Sequence, residues 1–275
     1  MFAPGSLWGT LGLVETLAPV AVFVAVVAAV RGTWSPCGVS MLSSITPLTE
    51  SGRGNRYWIT VGWFILGTLF GGATLGLVAA GGALLVSALG LSLEAALAAG
   101  VVGALITLAS DLGPGGWRLP SNPRQVNRTW LDRYRSWVYG LGFGWQLGVG
   151  VATFVMSATV YLMVVLTALT GRPMFAFLTV MGFGFVRGLA IIPGARVKTS
   201  ADLMTLHRTI ERFRPHSRAV AVATQIAVLG IFIGTLTTAM VGVIVAVVLA
   251  GVAWSMRDSL RDPAPKVRQV AAASR

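Results

Sequence analysis

The chain has 275 residues, 55% of them hydrophobic and only 11% charged, with a net charge of +12 and a mean hydropathy of +0.77. Soluble domains carry about 25% charged residues, so these values exclude an ordinary water-soluble domain and predict an all-α polytopic membrane protein. The one cysteine, Cys37, excludes an internal disulfide and a four-cysteine metal site, and the basic excess reads as membrane topology, with no nucleic acid as partner.

Seven membrane spans are predicted in chain order. The first covers residues 19–45 and is interrupted by Arg31 and Pro36. The second and third cover 57–79 and 93–109. The fourth covers 137–159 and can continue to 169, and the fifth covers 174–192. The uncharged run 219–256 is too long for one span of ~20 residues, so a turn at 234–239 divides it into spans six and seven. The first fifteen residues lack the basic start and small-residue cleavage site of a secretory signal.

Of the 21 Lys and Arg residues, 18 fall in four clusters, at residues 53–56, 118–135, 196–218 and 257–275, while Arg172 falls in an outer loop and Arg31 and Arg187 inside spans. Seven spans with the N-terminus outside place every cluster, and the C-terminus, on the cytoplasmic side of the inner membrane. The organisation that follows is a first membrane half (1–110), a cytoplasmic linker (111–136), a second half (137–256) and a basic tail (257–275). In the loop at 194–218, Leu203, Leu206, Ile210 and Phe213 recur at helical spacing opposite Arg208, Glu211 and Arg212. This predicts a short amphipathic helix, lying at the headgroups or packed on the span ends.

The halves share a faint pattern. The broken first span carries Gly-Thr-Trp-Ser-Pro-Cys-Gly, and the fourth carries YGLGFGWQLGVG. Spans two and five both mix aromatic residues with glycine. Three spans per half imply two inverted three-helix repeats plus a C-terminal helix, with a site at the midplane where broken helices face each other. Pro36 and the glycines of span four are the expected breaks.

Ser35-Pro36-Cys37 resembles the Ser-Pro-Cys element of the CcdA and DsbD transmembrane family, and Gly142, Phe143, Gly144 and Trp145 resemble the glycine-rich run that opens that family's second half. The resemblance implies an inverted-repeat scaffold that carries reducing equivalents across the inner membrane, as in cytochrome c biogenesis. It also places the family's second cysteine at Gly148. Disulfide exchange needs a second, resolving sulfur, so Cys37 would act only with a thiol partner protein. The expectation from the residues is therefore a small buried Cys37 at a helix break.

Arg31 and Arg187 lie inside spans, where charge is costly and by default suggests a site. With Thr33, Ser35, Pro36, Cys37, Ser40, Gln146 and Gly148 they form the predicted substrate-binding set. That set would serve a transporter-like protein that takes a small anionic solute, since arginine forks onto carboxylate, sulfonate or phosphate oxygens. For Arg187, close to a span end, snorkelling to the headgroups is the other expectation. Glu15 and Glu50 read as interfacial, and His207 and His216 as solvated loop residues. No metal site, cofactor or catalytic motif is expected, and nothing in the pattern points to an enzyme. The partners expected are the lipid bilayer, the solute and, in the redox alternative, the thiol protein; a subunit of a membrane complex is the third reading. A reporter fused after Arg275 tests the topology: fluorescence in the cytoplasm is expected, and an active periplasmic reporter overturns it.

Overall fold

Hydroxyl side chains and prolines start the helices, and glycines end several of them. Ser35, Thr46, Ser92 and Thr199 each accept a backbone N–H at a helix N-terminus. Pro36 and Pro47 occupy first-turn positions where no N–H is needed. Gly90 and Gly113 stop their helices in the left-handed conformation, at φ 59° and 65°. The computed structural model describes residues 4–120, 130–151 and 157–236, and every described element is helical.

The ten α-helices are α1 (Pro4–Arg31), α2 (Pro36–Ser44), α3 (Pro47–Gly52), α4 (Tyr57–Leu89), α5 (Leu93–Leu112), α6 (Trp130–Arg133), α7 (Ser136–Val149), α8 (Thr159–Leu169), α9 (Pro173–Leu189) and α10 (Ser200–Thr235). Short 3-10 turns follow α1, α5 and α9. Among the described residues, five stretches are long and apolar enough to cross a membrane: Leu17–Trp34, Tyr57–Leu89, Leu93–Leu112, Pro173–Arg196 and Ser200–Thr235. Phe23, Trp58, Phe70, Leu77, Leu85 and Leu89 stand exposed on their outer faces. So much outward apolar surface fits a lipid environment and not water.

Most predicted spans appear with altered ends. The first is broken as expected, after Arg31 and again at Ile45. The second runs ten residues further, to Leu89, because Gly81 and Gly82 continue the helix and only Gly90 stops it. The predicted fourth span is two helices. At 14 and 11 residues, α7 and α8 are about 21 and 17 Å long, each short of the ~30 Å hydrocarbon core. The short amphipathic helix and span six are one continuous helix, α10, with Pro215 inside it. Its Leu206 and Ile210 pack inward while Phe213 is exposed. The predicted seventh span, the basic tail, and the side chain of Glu15 lie outside the described residues, as do residues 121–129 of the linker.

The centre is held by glycine. α4 packs most closely on α7 and α9. On α4, a Cβ at Gly67 or Gly71 would strike the carbonyls of Leu141 or Trp145 on α7. On α7, a Cβ at Gly144 or Gly148 would strike the carbonyls of Phe64 or Thr68 in return. From α9, Gly184 and Gly188 close on the same Thr68. Small residues thus bring three backbones into direct contact, the mode of packing available where lipid removes the hydrophobic drive. Of the span-four glycines expected as breaks, those within α7 are instead its contact surface, while Gly150, with φ 73°, does end the helix.

A second tie lies at the α3 end. Glu50 is fully buried rather than interfacial. Its Oε2 accepts from Tyr139 Oη at 2.6 Å and Thr60 Oγ1 at 2.7 Å, and its Oε1 pairs with Arg53 at 3.1 Å. One carboxylate therefore joins α3, α4 and α7.

These contacts predict opposite outcomes for two glycines. Gly144→Ala forces a methyl into the α4 backbone and should cost about 1–3 kcal/mol, seen as a lower melting midpoint in detergent. Gly62→Ala, where a Cβ meets open space, should leave the midpoint unchanged or raised.

Candidate functional site

The two helix breaks meet at one place. The first is the turn Gly32–Trp34 with Ser35, and the second is marked by Gly150 at the end of α7 and Ser157 before α8. Gly32, Ser35, Gly150 and Ser157 line a common cavity together with Ala28, Val160 and the two arginines, Arg31 and Arg187. The space is about 10 Å³, room for about one water molecule.

Local structure fixes each wall. Ser35 Oγ donates to the Gly32 carbonyl at 2.7 Å and accepts from Gly38 N–H at 3.0 Å, so the break ends one helix and starts the next with a single hydroxyl. Gly32 makes room for Arg187: a methyl group at residue 32 would lie 2.8 Å from Arg187 Nε. Opposite, Ser157 Oγ donates to Asp111 Oδ2 at 2.5 Å, and the Ala158 N–H donates to Oδ1 at 2.6 Å. Gln225 Nε2 on α10 donates to the same carboxylate at 2.7 Å and to Thr159 Oγ1 at 3.1 Å. Asp111 thus pins the start of α8 to α5 and α10.

Electrostatics in the cavity is one-sided. Arg187 is 3% exposed, with Phe183 beneath its guanidinium at 5.8 Å. Its guanidinium is buried beside Gly32. It makes no hydrogen bond among the described residues, and its Nε is buried without a partner. Arg31 is 6% exposed; its Nη1 donates to Ser217 Oγ at 2.5 Å, and its Nε is also unpartnered. Asp111 lies within electrostatic reach of Arg31, and the Cys37 thiol within reach of Arg187, but among the described residues no carboxylate lines the cavity. The arrangement offers N–H donors and positive charge to an acceptor.

Of the predicted site residues, Arg31, Ser35 and Arg187 come together. Thr33 and Ser40 are half-buried and Pro36 exposed near the first break, outside the cavity lining. Cys37 is a free, fully buried thiol packed among Met41, Leu42, Phe64 and Phe143. Gly148 lies against the Thr68 backbone, where no side chain fits, and Gln146 is half-buried on α7. Neither lines the cavity. Sequence reasoning missed Ser157, Gln225 and Asp111. Asp111 was read as the start of a linker, although an acid one residue from the end of an apolar helix is a usable signal. The histidines are engaged too: His207 Nε2 lies 2.7 Å from Ser43 Oγ, and His216 packs its ring against Phe213.

Fold and site together define an all-helical, membrane-associated protein with paired helix breaks around two buried arginines. The chain is similar to the methylamine utilization protein MauF of Paracoccus denitrificans, 30% identical over 198 residues, and to MauF of Methylophilus methylotrophus, 32% identical over 176. Those matches cover 70% and 62% of this chain and 66% and 60% of the relatives, less than two thirds of their length. No family profile and no solved structure matches it.

Removing the Asp111 carboxylate should loosen the second break. Asp111→Ala strands Gln225 and the Ala158 N–H and should cost about 1.5–3 kcal/mol, read by thermal unfolding, while Asp111→Asn recovers part of the loss.

Proposed function

We propose that this chain is a multi-pass inner-membrane protein, transporter-like, that holds a small anionic solute between Arg31 and Arg187 where two broken helices meet. The observation that carries the reading is the pair of buried guanidinium groups, each with an Nε unpartnered among the described residues, lining one cavity to which no described carboxylate contributes. A charge inside a membrane costs about 3 kcal/mol or more, and an anion offsets that cost. The cavity has room for about one water-sized group, so binding or passage of an anion such as chloride or formate requires the helices to part.

The inverted-repeat architecture belongs to this proposal. Taking α1 with α2, α4 and α5 as one half, and α7 with α8, α9 and α10 as the other, the contacts come in exchanged pairs. α4 packs on α7 as α9 packs on α1, and α5 packs on α8 as α10 packs on α1. α4 meets its counterpart α9, and α5 meets α10. This pattern supports an inverted-repeat scaffold of the CcdA-like or DsbD-like kind, and seven spans with a cytoplasmic C-terminus belong to the same proposal. The names of the relatives support a role in methylamine utilization. Two arginines repel methylammonium, so that role would be accessory and not uptake of the amine itself.

A second reading, thiol–disulfide exchange with a partner protein, draws on one observation: the Cys37 thiol lies within electrostatic reach of Arg187. Cys37 is fully buried, and Gly148 offers no resolving sulfur.

Anion binding separates the readings. In purified protein, formate and chloride are expected to raise the melting midpoint and methylammonium to leave it unchanged. Arg187→Gln should weaken the anion effect about tenfold or more. Cys37→Ala should retain it. Stabilisation by methylammonium alone, or a mixed disulfide trapped on Cys37 with loss of function in Cys37→Ala, would overturn the anion reading.

A further inference from the structure

A second cavity lies on the other side of Arg31. It is a groove of about 440 Å³ between α1 and α10, lined by Val26, Val27, Val30, Arg31, Trp34, Phe213, His216, Ser217 and Val220. Its volume is in the range of small-molecule sites, and its walls are almost wholly apolar. Val26, Val30, Phe213 and Val220 are all more than two fifths exposed, so the groove opens sideways on the face that meets lipid. The Trp34 ring is fixed in place, because its Nε1 donates to the Ile210 carbonyl at 2.8 Å.

Polar groups gather at one end only. Arg31 is held there by Ser217 and keeps its Nε free of any partner. Arg214, ion-paired with Glu211 at 2.7 Å, and Arg218, whose Nη2 donates to the Asp111 carbonyl at 3.2 Å, are near enough to act on Arg31 electrostatically, as is Asp111. Among the described residues no carboxylate lines the groove itself. Three cations against two neighbouring acids leave a net positive end beside a lipid-open apolar slot, which is complementary to a molecule with an anionic head and an acyl tail. Basic pockets between membrane helices bind anionic lipid headgroups on the same grounds.

We propose that this groove holds an anionic phospholipid, its phosphate at Arg31 beside Arg214 and Arg218 and one acyl chain along Val26, Val27, Val30 and Val220. The site is independent of the anion cavity except for Arg31, which faces both.

The test uses the full chain in lipid nanodiscs of phosphatidylcholine alone or mixed with phosphatidylglycerol. Phosphatidylglycerol is expected to raise the melting midpoint by several degrees, and native mass spectrometry to retain phosphatidylglycerol on the protein. Val220→Trp and Val30→Trp, each filling the groove from an exposed position, should abolish both effects. Val22→Trp, exposed on α1 but outside the groove lining, and Arg187→Gln should keep them. Equal midpoints in the two lipid mixtures overturn the proposal. So does a phosphatidylglycerol effect that survives both groove-filling variants. Formate stabilisation of Val220→Trp reports separately on the anion cavity.

Discussion

The feature on which the rest depends is a guanidinium group buried without a hydrogen-bonding partner. Arg187 sits inside the helical assembly, 3% exposed, with Gly32 on one side and Phe183 on the other. A buried charge persists only when its surroundings compensate it. In the proposed function that compensation comes from the anion. Two helices break at the gap, and a second arginine adds to the positive charge there. Neither break would face the other without the glycine contacts of α4, α7 and α9, because these fix how far apart the broken helices stand.

The carboxylates support the site from a distance. Asp111 takes bonds from α8 and α10, and Glu50 takes bonds from α4 and α7. Both hold helix ends rather than entering the cavity. The positive field between the breaks is therefore left largely uncancelled. That separation of structural acid from site base is what an anion-binding centre needs, and it is unsuited to holding a cation.

Much of this was legible in the residue pattern. Ser35-Pro36 after Gly32 gave the first break, because proline needs a helix start and serine caps it. Arg31 and Arg187 stood out as charges within apolar runs. The second break was located only to a glycine-rich run because glycine in a membrane helix carries two meanings. At Gly144 and Gly148 it permits close approach, while at Gly150 it takes a positive φ and ends the helix, and only the neighbouring backbones distinguish these. Gln146 was assigned to the site from that run, and Gly148 from the resemblance that places a second cysteine there. Asp111 and Gln225 were missed because their meaning lies in partners 46 and 114 residues away from Asp111, which no local spacing reveals.

The central claim is that the gap between Arg31 and Arg187 binds an anion. The most direct measurement is the anomalous scattering of crystals of this protein grown in bromide. A bromide peak in contact with both guanidinium groups, and its loss in Arg187→Gln crystals, is the predicted result. A fully occupied water at that position in bromide, or a bromide peak only on the exposed surface, would contradict it.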